Sequence, residues 1–245
     1  MESQATAIGL SFERFRAVDG DDLDHNPAED AGISAGAYAC FLGHRAMWKS
    51  IAEGDEPFAV VLEDDVHLST DAKDYLRTDA WIPADADLIH LEWERSQCMV
   101  WNHNRTKAGK RTLYRLAGEC AGAAAYVISK RCAQILSAEL TSLDKEFDSI
   151  LFSGDYVTRL NILKLYPAIA IQDARRKRRD KFDLGSDNRS NIVHFPLEAG
   201  DEDKPNFYLA KKIISEAQRF FRKTTDRLIE MTDANVIIKK RFRYK

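Results

Sequence analysis

Three consecutive acidic residues, Glu63, Asp64 and Asp65, follow an apolar run at residues 58–62. The run is short and contains two β-branched Val residues, which favours a strand buried on both faces over a helix. No basic neighbour offsets the three acids, and charges at the end of a buried strand are costly without a positive partner. On an extended chain Glu63 and Asp65 point to the same side and could share one hard divalent cation. The sequence therefore predicts a metal site here, and a solvated acidic turn is the alternative.

The segments around this acidic cluster alternate between predicted strands and predicted helices. Ser34 is a candidate N-cap for a helix over about residues 36–52, which Gly54 would end. The other predicted elements are strands at 57–62, 87–93, 122–128 and 161–166 and a helix at 129–139. This alternation predicts an α/β fold with a mostly parallel central sheet flanked by helices.

The composition is that of a folded protein with an uneven distribution of charge. The 245 residues are 44% hydrophobic, which is enough for a substantial core. The net charge is −3, but residues 1–90 carry 19 acidic and 6 basic side chains, a net charge of −13. This division favours an acidic, metal-binding half and a basic half that faces anions such as phosphate or lipid. We expect no nucleic-acid partner.

The cysteines and the hydropathy pattern predict a cytoplasmic location. The four cysteines form no CxxC pair and lie among apolar or small residues; they are Cys40, Cys98, Cys120 and Cys132. We therefore expect buried free thiols in a reducing compartment. The amino terminus lacks the basic and apolar regions of a signal peptide, and no apolar run approaches the ~20 residues of a membrane span.

The chain divides by composition into a domain at residues 1–200 and a basic tail at 201–245. The tail carries 12 basic and 7 acidic residues, and apolar positions recur at helical spacing over about 206–232. The pattern predicts a basic amphipathic helix. Such a helix either packs on the main domain with a solvated basic face or lies on an anionic membrane, which would place the protein peripherally at the inner membrane.

Several sequence blocks, in order, resemble glycosyltransferase family 25, the lipopolysaccharide-type galactosyltransferases. Residues 15–20 contain an AVDG segment, residues 36–48 resemble a G-x-x-x-C-x-x-S-H helix, and residues 61–66 match an LEDD element. Gly43 stands where the family usually has Ser. Residues 122–129 resemble a small-residue strand of the family, and 147–151 resemble its D-x-x-L element. The resemblance extends over about residues 8–195.

The resemblance implies a GT-A-like fold, a UDP-sugar donor such as UDP-galactose, Mn²⁺ and a glycolipid or oligosaccharide acceptor, with inversion at the transferred sugar. Glu63 and Asp65 would hold the ion, and His194 is a candidate further ligand, with a core histidine as the alternative. Asp148 occupies the family's acidic position and is the candidate catalytic base, with a helix cap as the alternative. Glu92 and Glu94 are reserve candidates for the base.

The remaining candidate residues would bind the donor. The resemblance places His44 beside the donor pocket, although a structural histidine is the default on such a helix. Asp64 would point away from the metal and brace the loop or contact the sugar. Ser186 and Asp187, with the basic run at 175–179, lie where a loop would close over the donor.

One departure from the family pattern concerns the start of the chain. Family members open with a strand and a basic helix ahead of the segment that corresponds to residues 7–10, and we expect that strand to be missing here. Either the start is assigned too far downstream or part of the donor pocket is lost. The second case would give a degenerate, non-catalytic binding protein. A metal-dependent phosphohydrolase is a further alternative, which the single acidic cluster disfavours.

Overall fold

The computed structural model describes residues 2–93, 98–173 and 237–240. Six α-helices occur among the described residues: α1 Glu2–Ala7, α2 Ala35–Glu53, α3 Lys73–Leu76, α4 Lys130–Glu139, α5 Phe147–Leu151 and α6 Gly154–Arg159. Two 3-10 helices also lie there, at Gly20–Asp22 and Glu29–Ala31. The strands there are β1 Phe58–Leu62, β2 Val66–Leu68, β3 Leu88–His90, β4 Cys98–Ala108, β5 Arg111–Leu116, β6 Ala125–Ser129, β7 Ile162–Tyr166, β8 Ala170–Gln172 and β9 Ile237–Lys240.

Seven of the described strands form one mixed sheet in the order β1-β6-β3-β7-β5-β4-β9. The pair β3–β7 is parallel, and the other five pairings in this sheet are antiparallel. The α/β class is confirmed, but the expectation of a mostly parallel sheet is wrong. The physical reason is that β6 enters antiparallel between β1 and β3, and that β4 and β5 form a hairpin. Strands β2 and β8 pair separately.

The β4–β5 hairpin is an element that the sequence prediction missed. Its turn is Gly109-Lys110, and Gly109 has φ of 56°, a left-handed conformation that glycine adopts without steric cost. Residues 111–116 are Arg-Thr-Leu-Tyr-Arg-Leu, which does not alternate regularly between polar and apolar types. Gly109 was therefore the main local signal for a hairpin in the sequence.

Strand β1 lies at the edge of the sheet, which corrects the expectation that it is buried on both faces. It pairs with β6 alone, and Val60 remains 38% exposed whereas Val61 is buried. Strand β6, by contrast, has neighbours on both sides and is buried along its whole length. The long apolar run therefore predicted a strand correctly but not its place in the sheet.

Two hydrophobic clusters involve the sheet. The first contains residues of α2 and α4, among them Phe41, Trp48 and Leu136. The second includes Tyr75, Leu91 and Leu165. Burying aliphatic and aromatic side chains of this size contributes on the order of 2 kcal/mol each, so these layers fix the sheet that carries the acidic cluster.

The predicted ends of helix α2 are confirmed. The Ser34 hydroxyl accepts a hydrogen bond from the Ala37 backbone N–H at 3.2 Å, and the helix ends at Gly54. Because α2 starts from a fixed cap, its residues at i, i+4 and i+8 present one defined face to the sheet.

The expectation of four free thiols is wrong for one pair. Cys98 and Cys120 form a disulfide across 22 residues, while Cys40 and Cys132 are free. Their spacing gave no sign of the pairing, because β4 and the segment after β5 become neighbours only when the hairpin forms. The prediction of a reducing compartment rested on four free thiols, and the disulfide removes that argument.

The described part of the chain contains no helix with the length and apolarity required to cross a bilayer. Of the predicted tail, Ile237–Lys240 is described and forms edge strand β9 against β4. Residues 201–236 and 241–245 lie outside the described residues.

Candidate active site

The acidic cluster lies where β1 ends and the chain turns toward β2. The Glu63 backbone N–H donates to Ala124 O at 2.8 Å, which fixes the end of β1 beside the start of β6. The Asp173 backbone N–H donates to Asp65 O at 3.0 Å, which joins the turn to the segment after β8. Asp64, between them, is exposed. The backbone thus holds Glu63 and Asp65 at a junction of three strands.

The Glu63 carboxylate is held by three side chains. Its Oε1 lies 3.3 Å from His44 Nε2 and accepts a hydrogen bond from Cys40 Sγ at 3.5 Å. Its Oε2 accepts from Gln172 Nε2 at 3.1 Å. Burial opposes ionisation, but the hydrogen bonds and the His44 ring outweigh it and lower the pKa of Glu63 below its ordinary value. Glu63 is therefore an ionised carboxylate in a closely fitted set of partners.

His44 connects Glu63 to the interior of the protein. Its Nδ1 lies 2.8 Å from the Tyr126 hydroxyl, which also accepts a hydrogen bond from Trp48 Nε1 at 2.8 Å. The His44 ring is 2% exposed and packs 4.7 Å from the Phe147 ring, measured between centroids. Cys40, His44 and Trp48 follow one another at intervals of four residues, so all three lie on one face of α2.

Asp65 differs from Glu63 in that one of its carboxylate oxygens has no hydrogen-bond partner in the part of the chain that the structure describes. The residue is 8% exposed, and Oδ1 is buried without a hydrogen bond. Burial, followed by the negative charges of Glu63 and Asp64, raises the pKa of Asp65 to about 6. The Gln172 amide, which donates to Glu63, is also close enough to Asp65 to oppose this rise in its pKa, so it lies near both carboxylates. A buried carboxylate with an orphan oxygen beside a second acid is suited to a cation.

Asp148 lies in the first turn of α5, close to the same cluster. Its Oδ2 accepts from the Gly122 backbone N–H at 2.9 Å, and its Oδ1 accepts from Ser149 N–H at 2.6 Å. The N-cap of α5 is Glu146, so Asp148 is inside the helix rather than at its cap. Burial, Glu63, Asp148 and Asp65 all raise the pKa of the Cys40 thiol, which shows that these groups are close enough to interact electrostatically.

Glu92, a reserve candidate, is fully buried. Its Oε2 accepts from the Ala124 backbone N–H at 3.0 Å, and its backbone oxygen accepts a hydrogen bond from Lys164 Nζ. Lys164 is also completely buried and lies 2.6 Å from His90 Nδ1. Glu92 therefore contributes to a network inside the sheet and has no exposed surface at which to meet an acceptor.

The other predicted site residues lie outside the described residues. They are Glu94, Ser186, Asp187, His194 and the basic run at 175–179.

Three residues of the site were not predicted as functional: Cys40, Tyr126 and Gln172. The four-residue spacing of Cys40, His44 and Trp48 was a usable signal for a common helix face. Gln172 had no such signal, because it reaches the site through the pairing of β8 with β2 across more than 100 residues.

In the described residues an α/β sheet positions an ionised carboxylate, Glu63, and a second buried acid, Asp65, after the end of β1. This chain belongs to glycosyltransferase family 25 (LPS biosynthesis protein), whose sequence model matches residues 1–151.

Curated relatives carry names from the same field. The chain is 28% identical over 184 residues to "Lacto-N-neotetraose biosynthesis glycosyltransferase LgtB" of Neisseria meningitidis serogroup B, covering 67% of this chain and 66% of the relative. It is 27% identical over 158 residues to "Lipooligosaccharide biosynthesis protein lic2B" of Haemophilus influenzae, covering 59% and 57%. The chain thus matches between about half and two thirds of these relatives' length.

Proposed function

We propose that this chain has a GT-A-like domain that transfers a hexose, galactose, from a UDP-sugar to a lipopolysaccharide or related glycan acceptor, with inversion at the anomeric carbon. Membership of glycosyltransferase family 25 supports the reaction class. The relative named for lacto-N-neotetraose biosynthesis supports a glycan acceptor. A sugar donor and a glycan acceptor are the two partners that this reaction requires.

The observation that carries the proposal is the buried, unpaired Oδ1 of Asp65 beside Glu63. Each carboxylate oxygen has two lone pairs, so Glu63 Oε2 retains one after accepting from Gln172. Asp65 and Glu63 would hold Mn²⁺ or another hard divalent ion, and His194 is proposed as a further ligand. When bound, such an ion supplies positive charge that stabilises the departing diphosphate.

Asp148 is proposed as the general base. An inverting transfer needs a carboxylate that takes the proton of the acceptor hydroxyl as that oxygen attacks the sugar. Asp148 is half-buried, and its two oxygens each accept one backbone hydrogen bond, which orients the carboxylate without using all its lone pairs. The backbone of Gly122 and Ser149 thus presets its direction.

The other proposed roles follow from exposure. Asp64 is exposed and is proposed to contact the donor sugar. His44 is too buried for direct contact with a donor, and we assign to it the orientation of Glu63. Ser186 and Asp187 are proposed to close over the donor.

Turnover with a panel of UDP-sugars in the presence of Mn²⁺ tests this proposal, with release of UDP as the measurement. UDP-galactose should give the highest rate, and NMR of the product should show the inverted anomeric configuration. Asp65→Asn and Asp148→Asn should each reduce turnover by about 100-fold or more. Asp79→Asn, at an exposed site away from the cluster, is the matched control.

Activity that does not need a divalent ion, or an Asp65→Asn variant with full turnover, would overturn the metal-dependent reaction. A product with retained configuration would remove Asp148 from the role of base and leave the transfer itself in place.

The basic tail is proposed to bring the protein to an anionic membrane surface that carries the glycolipid acceptor. Replacing Lys211, Lys212 and Lys223 by Gln leaves strand β9 intact and should reduce co-sedimentation with phosphatidylglycerol vesicles. Equal sedimentation of the variant and the native chain would favour a tail that packs on the domain.

A further inference from the structure

We propose that Cys40, His44 and Glu63 form a binding site for a thiophilic divalent ion such as Zn²⁺. This site differs in chemistry from the proposed hard-ion site at Asp65, although the two share Glu63. The inference stands on the geometry of these three side chains and does not require the chain to be a transferase.

The spacing of the donor atoms suits a tetrahedral ion. The Cys40 sulfur, a His44 ring nitrogen and a Glu63 oxygen lie within 4.8 Å of one another. Two edges of this triangle are His44 Nε2 to Glu63 Oε1 at 3.3 Å and Cys40 Sγ to Glu63 Oε1 at 3.5 Å. Tetrahedral Zn²⁺ with its usual bond lengths gives edges of about 3.3 Å between N and O and about 3.6 Å between S and O. The third edge, from Cys40 Sγ to the His44 nitrogen, is within 4.8 Å, against about 3.5 Å in a tetrahedral site, so a side-chain movement of about 1 Å is enough to enclose the ion.

The surrounding contacts hold two of the ligands in place. The Tyr126 hydroxyl lies 2.8 Å from His44 Nδ1, which leaves Nε2 directed at Glu63. Gln172 holds the far oxygen of Glu63. Zinc-ligating histidines commonly use the second ring nitrogen in this way, and such outer contacts raise metal affinity. Cys40 and His44 are one helical turn apart on α2, so the helix itself sets their separation.

The choice of ion follows from the ligand types. A thiolate and an imidazole favour Zn²⁺ over Mn²⁺ or Mg²⁺, which prefer oxygen ligands. Binding replaces the Cys40 S–H bond with a sulfur–metal bond, and the proton passes to the buffer. Three protein ligands leave the fourth tetrahedral position open.

Because Glu63 is common to both sites, we expect the two kinds of ion to compete. Zn²⁺ bound by Cys40, His44 and Glu63 would reduce the affinity for Mn²⁺. This consequence, unlike the zinc site itself, rests on the proposed function.

Titration of the full chain with Co²⁺, a spectroscopic substitute for Zn²⁺, tests the site directly. The native protein should develop a thiolate-to-cobalt charge-transfer band at one equivalent, and Zn²⁺ should abolish it. The titration is done without a thiol reductant so that the Cys98–Cys120 disulfide stays intact and adds no thiolates. Absence of the band in the native protein would overturn the proposal.

Three variants locate the bound ion. Cys40→Ser should remove the band and weaken Zn²⁺ binding, measured by calorimetry, by at least about tenfold. Cys132→Ser is the matched control, because Cys132 is the other free cysteine among the described residues and is buried on α4. It should leave the band unchanged. Circular dichroism checks that each variant is folded, and if Cys40→Ser does not fold, His44→Gln takes its place.

Asp65→Asn separates this inference from the proposed function. The variant should lose Mn²⁺ binding and keep the cobalt charge-transfer band. A band that survives in Cys40→Ser, or that disappears in Cys132→Ser, would place the thiolate elsewhere and refute the site. If Asp65→Asn loses Mn²⁺-dependent turnover but keeps the thiolate-to-cobalt band, the result supports a zinc site that does not depend on Asp65.

Discussion

Two aspartates near strand ends differ in their charged neighbours. Asp71, after β2, has a buried arginine, Arg111, as its partner. Asp65, before β2, lies beside two other acids and has a buried oxygen without a hydrogen-bond partner among the described residues. The two aspartates differ in partner and also in exposure, because the Asp71 side chain is 35% exposed whereas Asp65 is buried.

Asp71 and Arg111 form an ion pair, although Arg111 Nε has no hydrogen-bond partner among the described residues. Arg111 donates from one guanidinium nitrogen to both Asp71 oxygens at 2.6 and 2.7 Å, and from another to the backbone oxygens of Pro167 and Ala168. Burial opposes ionisation, but the Ser69 hydrogen bond and the Arg111 charge outweigh it and lower the pKa of Asp71. The guanidinium also lies 5.2 Å from the centre of the Tyr75 ring.

The comparison shows that the fold can supply a positive partner to a carboxylate at a strand end. Among the described residues no positive side chain pairs with Asp65, and its pKa is raised to about 6 instead of lowered. A charge that the protein leaves uncompensated is destabilising, and such groups concentrate at functional sites. The contrast between Asp71 and Asp65 is therefore the physical basis for expecting a cation at the second.

The largest effect in this comparison is expected from Arg111→Met. The change leaves Asp71 without its cation and removes the bonds to Pro167 and Ala168. Arg111 is buried, but the Asp71 side chain is 35% exposed, so water replaces part of the lost ion pair. Together with the unpaired Pro167 and Ala168 oxygens, the loss should lower the free energy of unfolding by about 3 kcal/mol. Urea denaturation followed by circular dichroism measures this quantity.

Arg159→Met is the matched control for Arg111→Met. Arg159 pairs with Glu139 on the surface with both side chains exposed, so little change in stability is expected. If both variants lose the same free energy of unfolding, burial of the arginine does not strengthen the ion pair, and the comparison between the two aspartates would be contradicted.

The elements around the site were more predictable than their arrangement. Helix α2 was predicted because its cap, its apolar spacing and Gly54 are all local signals. Strand β1 was predicted because a short apolar run ends at three acids. The order and direction of the strands were not predictable, because they depend on β6 and on the β4–β5 hairpin finding partners far along the chain.

For the site, too, the sequence predicted individual residues but not their tertiary contacts. The alternation of an extended chain predicted Glu63 and Asp65 on one side. In the structure residues 63–66 form a turn, with Val66 N–H donating to Glu63 O at 3.4 Å, and both carboxylates lie near Gln172. The difference between them was not visible, because it arises from His44, Cys40 and Gln172, which come from α2 and β8. Sequence spacing identifies acids that could bind a cation, but only tertiary contacts decide which oxygen remains unpaired.

The next largest effect is expected from Asp65→Asn in the absence of metal. The folded-state pKa of Asp65 is raised, so ionisation destabilises the native state as pH rises from about 4 through about 6. The variant removes this charge, and above pH 6 it should be more stable than the native chain by about 2 kcal/mol. Thermal or urea unfolding measured between pH 4 and pH 8 should show this gain shrinking as the pH falls.

Mn²⁺ should change the result, because it would stabilise the native chain and not the variant. Asp64→Asn is the matched control: Asp64 is adjacent but exposed, so its replacement should alter stability little. An Asp65→Asn variant that is less stable than the native chain at pH 8 would show that the buried oxygen has a compensating partner.

The smallest effect is expected from Tyr126→Phe, which tests whether Glu63 depends on the interior of the protein for its position. The change removes the hydroxyl that accepts from Trp48 Nε1 and contacts His44 Nδ1, leaving a buried indole N–H unpaired. The free energy of unfolding should fall by about 1 kcal/mol. Because Tyr126 holds His44 against Glu63, the variant should also weaken Co²⁺ binding by about tenfold, as other outer contacts to metal ligands do. Tyr114→Phe, at another buried tyrosine of the same hydrophobic cluster, is the control and should leave Co²⁺ affinity unchanged. If Tyr126→Phe lowers stability without altering Co²⁺ affinity, the tyrosine supports the core alone and Glu63 is positioned by its direct neighbours.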